Sequence, residues 1–558
     1  MATRDLPKSA NDLLFGWVGR IQDEMTIGKS QDELANNDKL SKLDEFSSIH
    51  SSDEEFVAGD YDNATVETKV KLKNLWPAFA SGAGLFSDGY VNAGISTVIS
   101  CLKMIYGDEF TKSNAMSNIG SIAFVGTVVG QLGFGYISDR LSRHKGMLIA
   151  NVMLIIFTLL CAVGSWGKTT QGFFACLTVW RFFLGIAIGS EYPTSSVIAS
   201  EFANQLPAGH RNRYFSWFTN MMIDFGFVVA SFVPLVLLWI FTPRHLRALW
   251  RLSIGLGVIP PLILFFIRLK MSNSKSFTKL NMKRVDYKDY PFWLIIKFYW
   301  FRLAVVSLIW FIYDFSVYSF GTFNTIIIGE IIPNGTLYQN WGWSVVFNLF
   351  YMPGSFIGAI VADYLGPRLT LALGVGIQGV IGIAMSACLD SLKKHVAGFV
   401  VVFGIFTTFG EFGPGNNTGL LASKTCATAI RGQYYGIAAA VGKIGAFVGT
   451  WVFPAIQKHY AYSESLSLQV PFYVSSALCL FSALLTIFFV PPVGQDAIDK
   501  EDKLFLEFLR DNGFTKFDKF GDFGIVTANE DSKIGRDIIT MGEVEKNDDE
   551  VVVVHEKK

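Results

Sequence analysis

Residues 147–166 read MLIANVMLIIFTLLCAVGSW, twenty positions without a charged side chain. As a helix this run spans about 30 Å, the thickness of a bilayer's hydrocarbon core. It is apolar all round, which suits lipid better than a soluble surface. Comparable runs lie on both sides of it. In the first half they fall at 76–101, 117–137, 172–199, 214–241 and 250–269. In the second half they fall at 297–328, 344–364, 370–389, 396–420, 433–457 and 470–492. The expected fold is an all-α integral membrane protein with about twelve transmembrane helices in two six-helix halves.

Composition agrees. The 558 residues are 51% hydrophobic, 15% aromatic and 17% charged, against about a quarter charged in a soluble chain. Polar sequence concentrates in a tail at 1–73, a central loop at 270–296 and a tail at 493–558, leaving six-helix halves at 74–269 and 297–492. Net charge is zero, and no compact basic domain with interleaved aromatics argues for a nucleic-acid partner. The six cysteines form no CxxC pair and read as small core hydrophobes; no metal or cofactor is expected. The N-terminus lacks the h-region and cleavage site of a signal peptide.

Lys and Arg in short loops set the orientation. With both termini cytoplasmic, Arg140, Arg143, Lys145, Arg211, Arg213, Arg368, Lys424 and Arg431 share the inner side. PRHLRALWR (243–251) reads as a basic external loop, either an interfacial anchor or an electropositive entrance for anions. Asn334-Gly335-Thr336, also external, is an N-glycosylation acceptor sequence.

The halves repeat weakly. Asp139 ends GYISD after the second span, Asp363 ends AIVAD after the eighth, and nearly the same offset carries Asp88 to Asp314. Two acids at matching depths fit a transporter of parallel halves with its site between them. Ionisable side chains at membrane depth are expensive and need a reason. Those in this chain are Asp88, Arg181, Glu191, Asp224, Asp314, Glu411 and Lys443. Trp310, Asp314 and Tyr318 follow at i, i+4 and i+8 on one helix face, a stripe suited to a polar ligand. Lys443 stands among small residues and needs an anion opposite it, either a carboxylate or a substrate. Glu191 precedes Pro193, which loosens the helix locally. Asp224 and Glu411 are weaker candidates, and Arg181 is expected to pair with an acid.

GYISDRLSRHK resembles the signature between the second and third helices of major facilitator transporters. That resemblance implies gate roles for Asp139 and Arg140, and the repeat extends them to Asp363 and Arg368. RFFLGIAIGSEYPTSS, WRLSIGLGVIPPL, FGPGNNT and VGKIGA resemble the branch containing fungal phosphate:proton symporters, over about residues 76–490. In that branch the anion is held by residues matching Tyr192, Trp310, Asp314, Tyr318 and Lys443, and protons by residues matching Asp88 and Glu191. The helix-five Gln of the symporters has no clear match, although Asp224 is nearby. The symporters' DxYD is here Asp88-Gly89-Tyr90-Val91, without its second acid, and an Asn before FGP is here Glu411. GLFSDGYVNAG is similar instead to fungal glycerophosphodiester permeases.

The expected function is proton-coupled import of glycerophosphocholine or glycerophosphoinositol across the plasma membrane, with inorganic phosphate as the alternative cargo. A sugar or inositol carrier would have no use for Lys443. No nucleophile or metal constellation supports an intramembrane hydrolase. The expected partners are a small organic phosphate, protons and the bilayer, with endocytic regulators at the tails.

Overall fold

A computed structural model describes residues 72–140, 142–271, 290–332 and 335–514, together with residues 9, 16, 21 and 24–27. All regular structure among them is helical. The chain opens with a helix at Leu72–Gly82 and a tight turn at Ala83–Leu85, then continues as α1 (Phe86–Tyr106). Next come α2 (Ala115–Arg140), α3 (Arg143–Val163), α4 (Thr170–Asn204), α5 (Arg211–Phe241) and α6 (Pro243–Arg268). The second half contains α7 (Phe292–Ile331), α8 (Leu337–Leu365), α9 (Pro367–Ala387), α10 (Val396–Lys424), α11 (Thr428–His459) and α12 (Ser465–Phe489).

Eleven described helices, α2 to α12, are long and apolar enough to cross a membrane. The more polar α1 buries Ser87, Asp88, Asn92, Ser96 and Thr97 in the bundle. Polarity is inverted relative to a soluble protein. Trp166, Trp239, Ile240, Phe266 and Trp293 are more than 60% exposed, while Asp88, Glu191, Asp224, Asp314, Glu411 and Lys443 are at most 2% exposed. An apolar exterior of this extent needs a lipid solvent.

Glycine sets the closest contacts. A Cβ at Gly189 in α4 would stand 2.1 Å from the Thr127 carbonyl oxygen of α2, and one at Gly436 in α11 would stand 2.5 Å from that of Gln131. Such backbone approach replaces the hydrophobic drive that lipid removes. The halves meet where α2 packs on α11, α5 on α8 and α1 on α7.

Three expectations change. PRHLRALWR is not a loop, because Pro243 to His245 form a turn that runs directly into helix. Arg251 folds back there, donating to the Ala162 and Ser165 carbonyls at 2.6 and 2.8 Å and lying over Trp250. The polar tail expected after 493 contains a helix: α13 (Ala497–Asp511) is amphipathic and buries Ile498, Phe505 and Leu509. Of the six cysteines, four are buried, Cys176 is half-buried and Cys388 is exposed. Asn334, most of the central loop and most of both tails lie outside the described residues.

Candidate substrate site

Two helices carry the same irregularity. Pro193 lies in a π-helical turn at Tyr192–Ser196 in α4, and Pro414 in another at Glu411–Gly415 in α10. Proline removes a backbone donor and crowds the preceding turn, and a wide turn relieves both. Each bulge turns side chains towards a central cavity. Tyr192, Asp224, Trp310, Tyr313, Asp314, Tyr318, Asn416, Tyr435 and Lys443 line it.

One end of the cavity is built around Lys443, the only cation among the described lining residues. Its ammonium lies 3.3 Å from Asp314 Oδ2, 3.6 Å from the Tyr318 ring centroid and 5.2 Å from that of Tyr192. Both phenols face a charge they can stabilise through their π clouds. Their hydroxyls converge on Asp88, which accepts from Tyr192, from Tyr318 at 3.3 Å and from Asn92 at 2.5 Å. Trp310 stands edge-on to Tyr435, with ring centroids 5.5 Å apart. The α7 stripe read from spacing therefore lines one cavity, together with Tyr192 and Lys443.

The other end is acidic. Tyr313, one residue before Asp314 and so turned about 100° away from it, donates to Glu411 at 2.7 Å. The Asn220 amide reaches Glu411 at 3.0 Å, and Asp224 and Asn416 at 3.4 Å. Sequence reasoning missed Asn220, Tyr313, Asn416 and Tyr435. FGPGNNT and NMMIDFG marked the neighbourhood, but only the packing of α5 against α10 shows which polar groups meet.

Glu191 does not line the cavity. It forms a two-pronged ion pair with Arg268 of α6, at 2.8 and 3.0 Å, and accepts from Ser195. Arg268 also donates to the Ala80 and Ser81 carbonyls. It lies 77 residues from its partner, out of reach of any local pattern. Arg181 departs from expectation more sharply. It is buried, no carboxylate among the described residues pairs with it, and its Nε and Nη2 make no hydrogen bond there. The symporters' second α1 acid is Val91 here, and Val91 and Arg181 line the same side cavity.

The residues expected at the gate gather at one end of the bundle, the end expected from the sequence to face the cytoplasm. Asp139, ending α2, accepts from the Gly432 and Gln433 backbone N–H groups at the start of α11, at 2.8 and 2.7 Å. Asp363, ending α8, accepts from the Asn212 and Arg213 N–H groups at the start of α5, at 2.9 and 3.3 Å. Each carboxylate thus caps a helix of the opposite half, where the free N–H groups and the helix dipole favour an anion. Asp139 also pairs with Arg143 at 3.5 Å, and Asp363 with Arg213 at 2.5 Å. Glu201 joins Arg143 to Arg431. Arg140 lies over the Tyr290 ring at 5.0 Å, and Arg368 pairs with Glu24 at 2.6 Å. The acids thus bridge the halves, and Arg143 pairs with Asp139 from within the first half.

The family model for sugar (and other) transporters matches residues 74–289 and 291–505. The chain belongs to this family of major facilitator transporters. It is 80% identical over 536 residues to the glycerophosphocholine permease GIT4 of Candida albicans, covering 96% of this chain and 97% of that one. It is 73% identical over 516 residues to the major glycerophosphoinositol permease GIT3 of the same organism, covering 92% and 93%. Among solved structures it matches the proton:xylose symporter XylE bound to a bromodeoxyglucose, with TM-score 0.66 and 16% identity over 78% of this chain and 99% of that one. This transporter-family member therefore shares the major facilitator fold and is a transporter rather than an enzyme.

Proposed function

We propose that the protein is a proton-coupled symporter that carries glycerophosphodiesters inward across the plasma membrane, with both termini cytoplasmic. The observation that carries this reading is Lys443, the single cation among the described lining residues of the central cavity, with Asp314, Tyr192 and Tyr318 around it. A phosphodiester is a fixed monoanion and matches one ammonium, with phenol hydroxyls as further donors. Trp310 and Tyr435 provide aromatic surface for the organic part. The names of the two permeases support the same substrate class.

Asp88, Asp314 and Glu191 carry the protons on this reading. Substrate drawing Lys443 away from Asp314 leaves a buried carboxylate that is costly unless it takes up a proton, which couples the two cargoes. Glu191 takes part by gaining a proton and releasing Arg268. Asp139, Arg140, Asp363 and Arg368 hold the cytoplasmic end shut until the halves rock apart.

Competition separates this reading from phosphate transport. In cells lacking other carriers, unlabelled glycerophosphocholine or glycerophosphoinositol should suppress uptake of labelled glycerophosphodiester, and excess inorganic phosphate should not. Efficient suppression by phosphate would instead establish the phosphate reading.

A further inference from the structure

We infer that the acidic end of the cavity, formed by Asp224 and Glu411, is a subsite for the quaternary ammonium of a choline headgroup. The inference rests on the glycerophosphodiester reading and deepens it. A glycerophosphocholine molecule is a zwitterion, with one phosphodiester anion and one trimethylammonium cation, and the cavity presents complementary charges to both. Lys443 meets the first. Asp224 is fully buried and lines the cavity, and Glu411 is joined to it through the Asn220 amide.

The hydrogen bonds point to the kind of cation. Of the four carboxylate oxygens, Glu411 Oε1 accepts from Tyr313, Glu411 Oε2 and Asp224 Oδ2 accept from Asn220, and Asp224 Oδ1 has no donor among the described residues. A buried carboxylate oxygen without a donor is costly, and a nearby positive charge offsets that cost. Trimethylammonium has no N–H to donate. It is recognised by Coulomb attraction and by aromatic rings, and Tyr313 and Phe227 both line the cavity. The carboxylate packs closely on the backbone: a Cβ at Gly415 would lie 2.0 Å from Glu411 Oε2 and would displace the carboxylate from its present position.

An inositol headgroup is uncharged and donates hydroxyls, which an amide accepts nearly as well as a carboxylate does. Asp224→Asn and Glu411→Gln therefore separate charge recognition from hydrogen bonding. Uptake of labelled glycerophosphocholine and glycerophosphoinositol is measured side by side, normalised to surface protein, in cells lacking other carriers. The choline-to-inositol uptake ratio should fall about tenfold in each neutral variant, the effect of losing one partly desolvated cation contact. Asp224→Glu, which keeps the charge, should restore most of the ratio. Equal losses for both substrates would overturn the subsite and assign the acids a structural or proton-carrying role. An unchanged ratio would overturn it as well. Both outcomes differ from failure of the unsubstituted protein to carry either substrate, which would remove the transport reading together with the subsite.

Discussion

Lys443 pairs with Asp314, and on the proposed function it also meets the substrate; substitution separates the two roles. At 3.3 Å from Asp314 it is a buried ion pair, and removing one member of such a pair costs about 3–5 kcal/mol through the charge left behind. If the ammonium also meets substrate, Lys443→Ala should abolish uptake while leaving surface protein largely intact. Lys443→Arg should rescue poorly, since a planar guanidinium cannot replace a compact ammonium against the Tyr318 ring. The double variant Lys443→Ala/Asp314→Asn removes both charges and so relieves the structural cost. Uptake assays should find it folded and inactive, and substantial transport would remove Lys443 from the substrate site and Asp314 from the proton path together. Much of this was legible in the sequence, because i, i+4, i+8 spacing places Trp310, Asp314 and Tyr318 on one stripe. Arg268 and Tyr313 were not. The partner of Arg268 lies on another helix, and Tyr313 beside Asp314 reads as packing until α10 presents Glu411.

Elements show a symmetry that single residues hide. Asp139 and Asp363 each bridge the halves by capping a helix of the other one. Asp139→Asn can satisfy only one of the two N–H groups with its amide oxygen, and losing one charge-assisted bond shifts the closed state by about tenfold. A cysteine placed at Thr219, on the cavity wall, should then be labelled about tenfold faster from the cytoplasmic face in inside-out vesicles. Unchanged labelling would mean that the cap does not hold this end shut. The aspartate repeat was visible as a 224-residue offset, but the crossing of partners was not, because it depends on which helix starts lie beside which helix ends. α13 was missed for a related reason: its polar composition resembles the tail, and its apolar stripe counts only once packed. Its Asp502 accepts from the Thr428 N–H and hydroxyl at 2.5 and 2.7 Å, and burial, opposed by Arg431, pushes its carboxyl up from 3.8 to about 6. The folded state therefore binds this proton more tightly than the unfolded state. The contribution is most favourable below pH 4 and is lost as pH rises through 6. Proteolysis of α13 should accelerate between pH 4 and pH 7, and Asp502→Asn should flatten that dependence.

For the whole molecule, the class and eleven of the described membrane helices were readable from hydropathy, because lipid leaves a chain few ways to satisfy its backbone. α1 is the exception in strength: its apolar signal is diluted by the polar groups it turns inward. An even number of crossings puts tags at residues 30 and 540 on one side, and the proposed orientation makes it the cytoplasmic side; tags on opposite sides would mean a miscounted helix, and two on the outer face an inverted orientation. The central claim joins one substrate class to one energy source. Its most direct test is uptake of labelled glycerophosphocholine and glycerophosphoinositol by cells lacking other carriers, at external pH 5 and pH 7.5, with and without a protonophore. Uptake should be saturable, faster at pH 5, and should collapse with the protonophore. Uptake of the same diesters that ignores both pH and protonophore would contradict proton coupling and leave facilitated diffusion in its place.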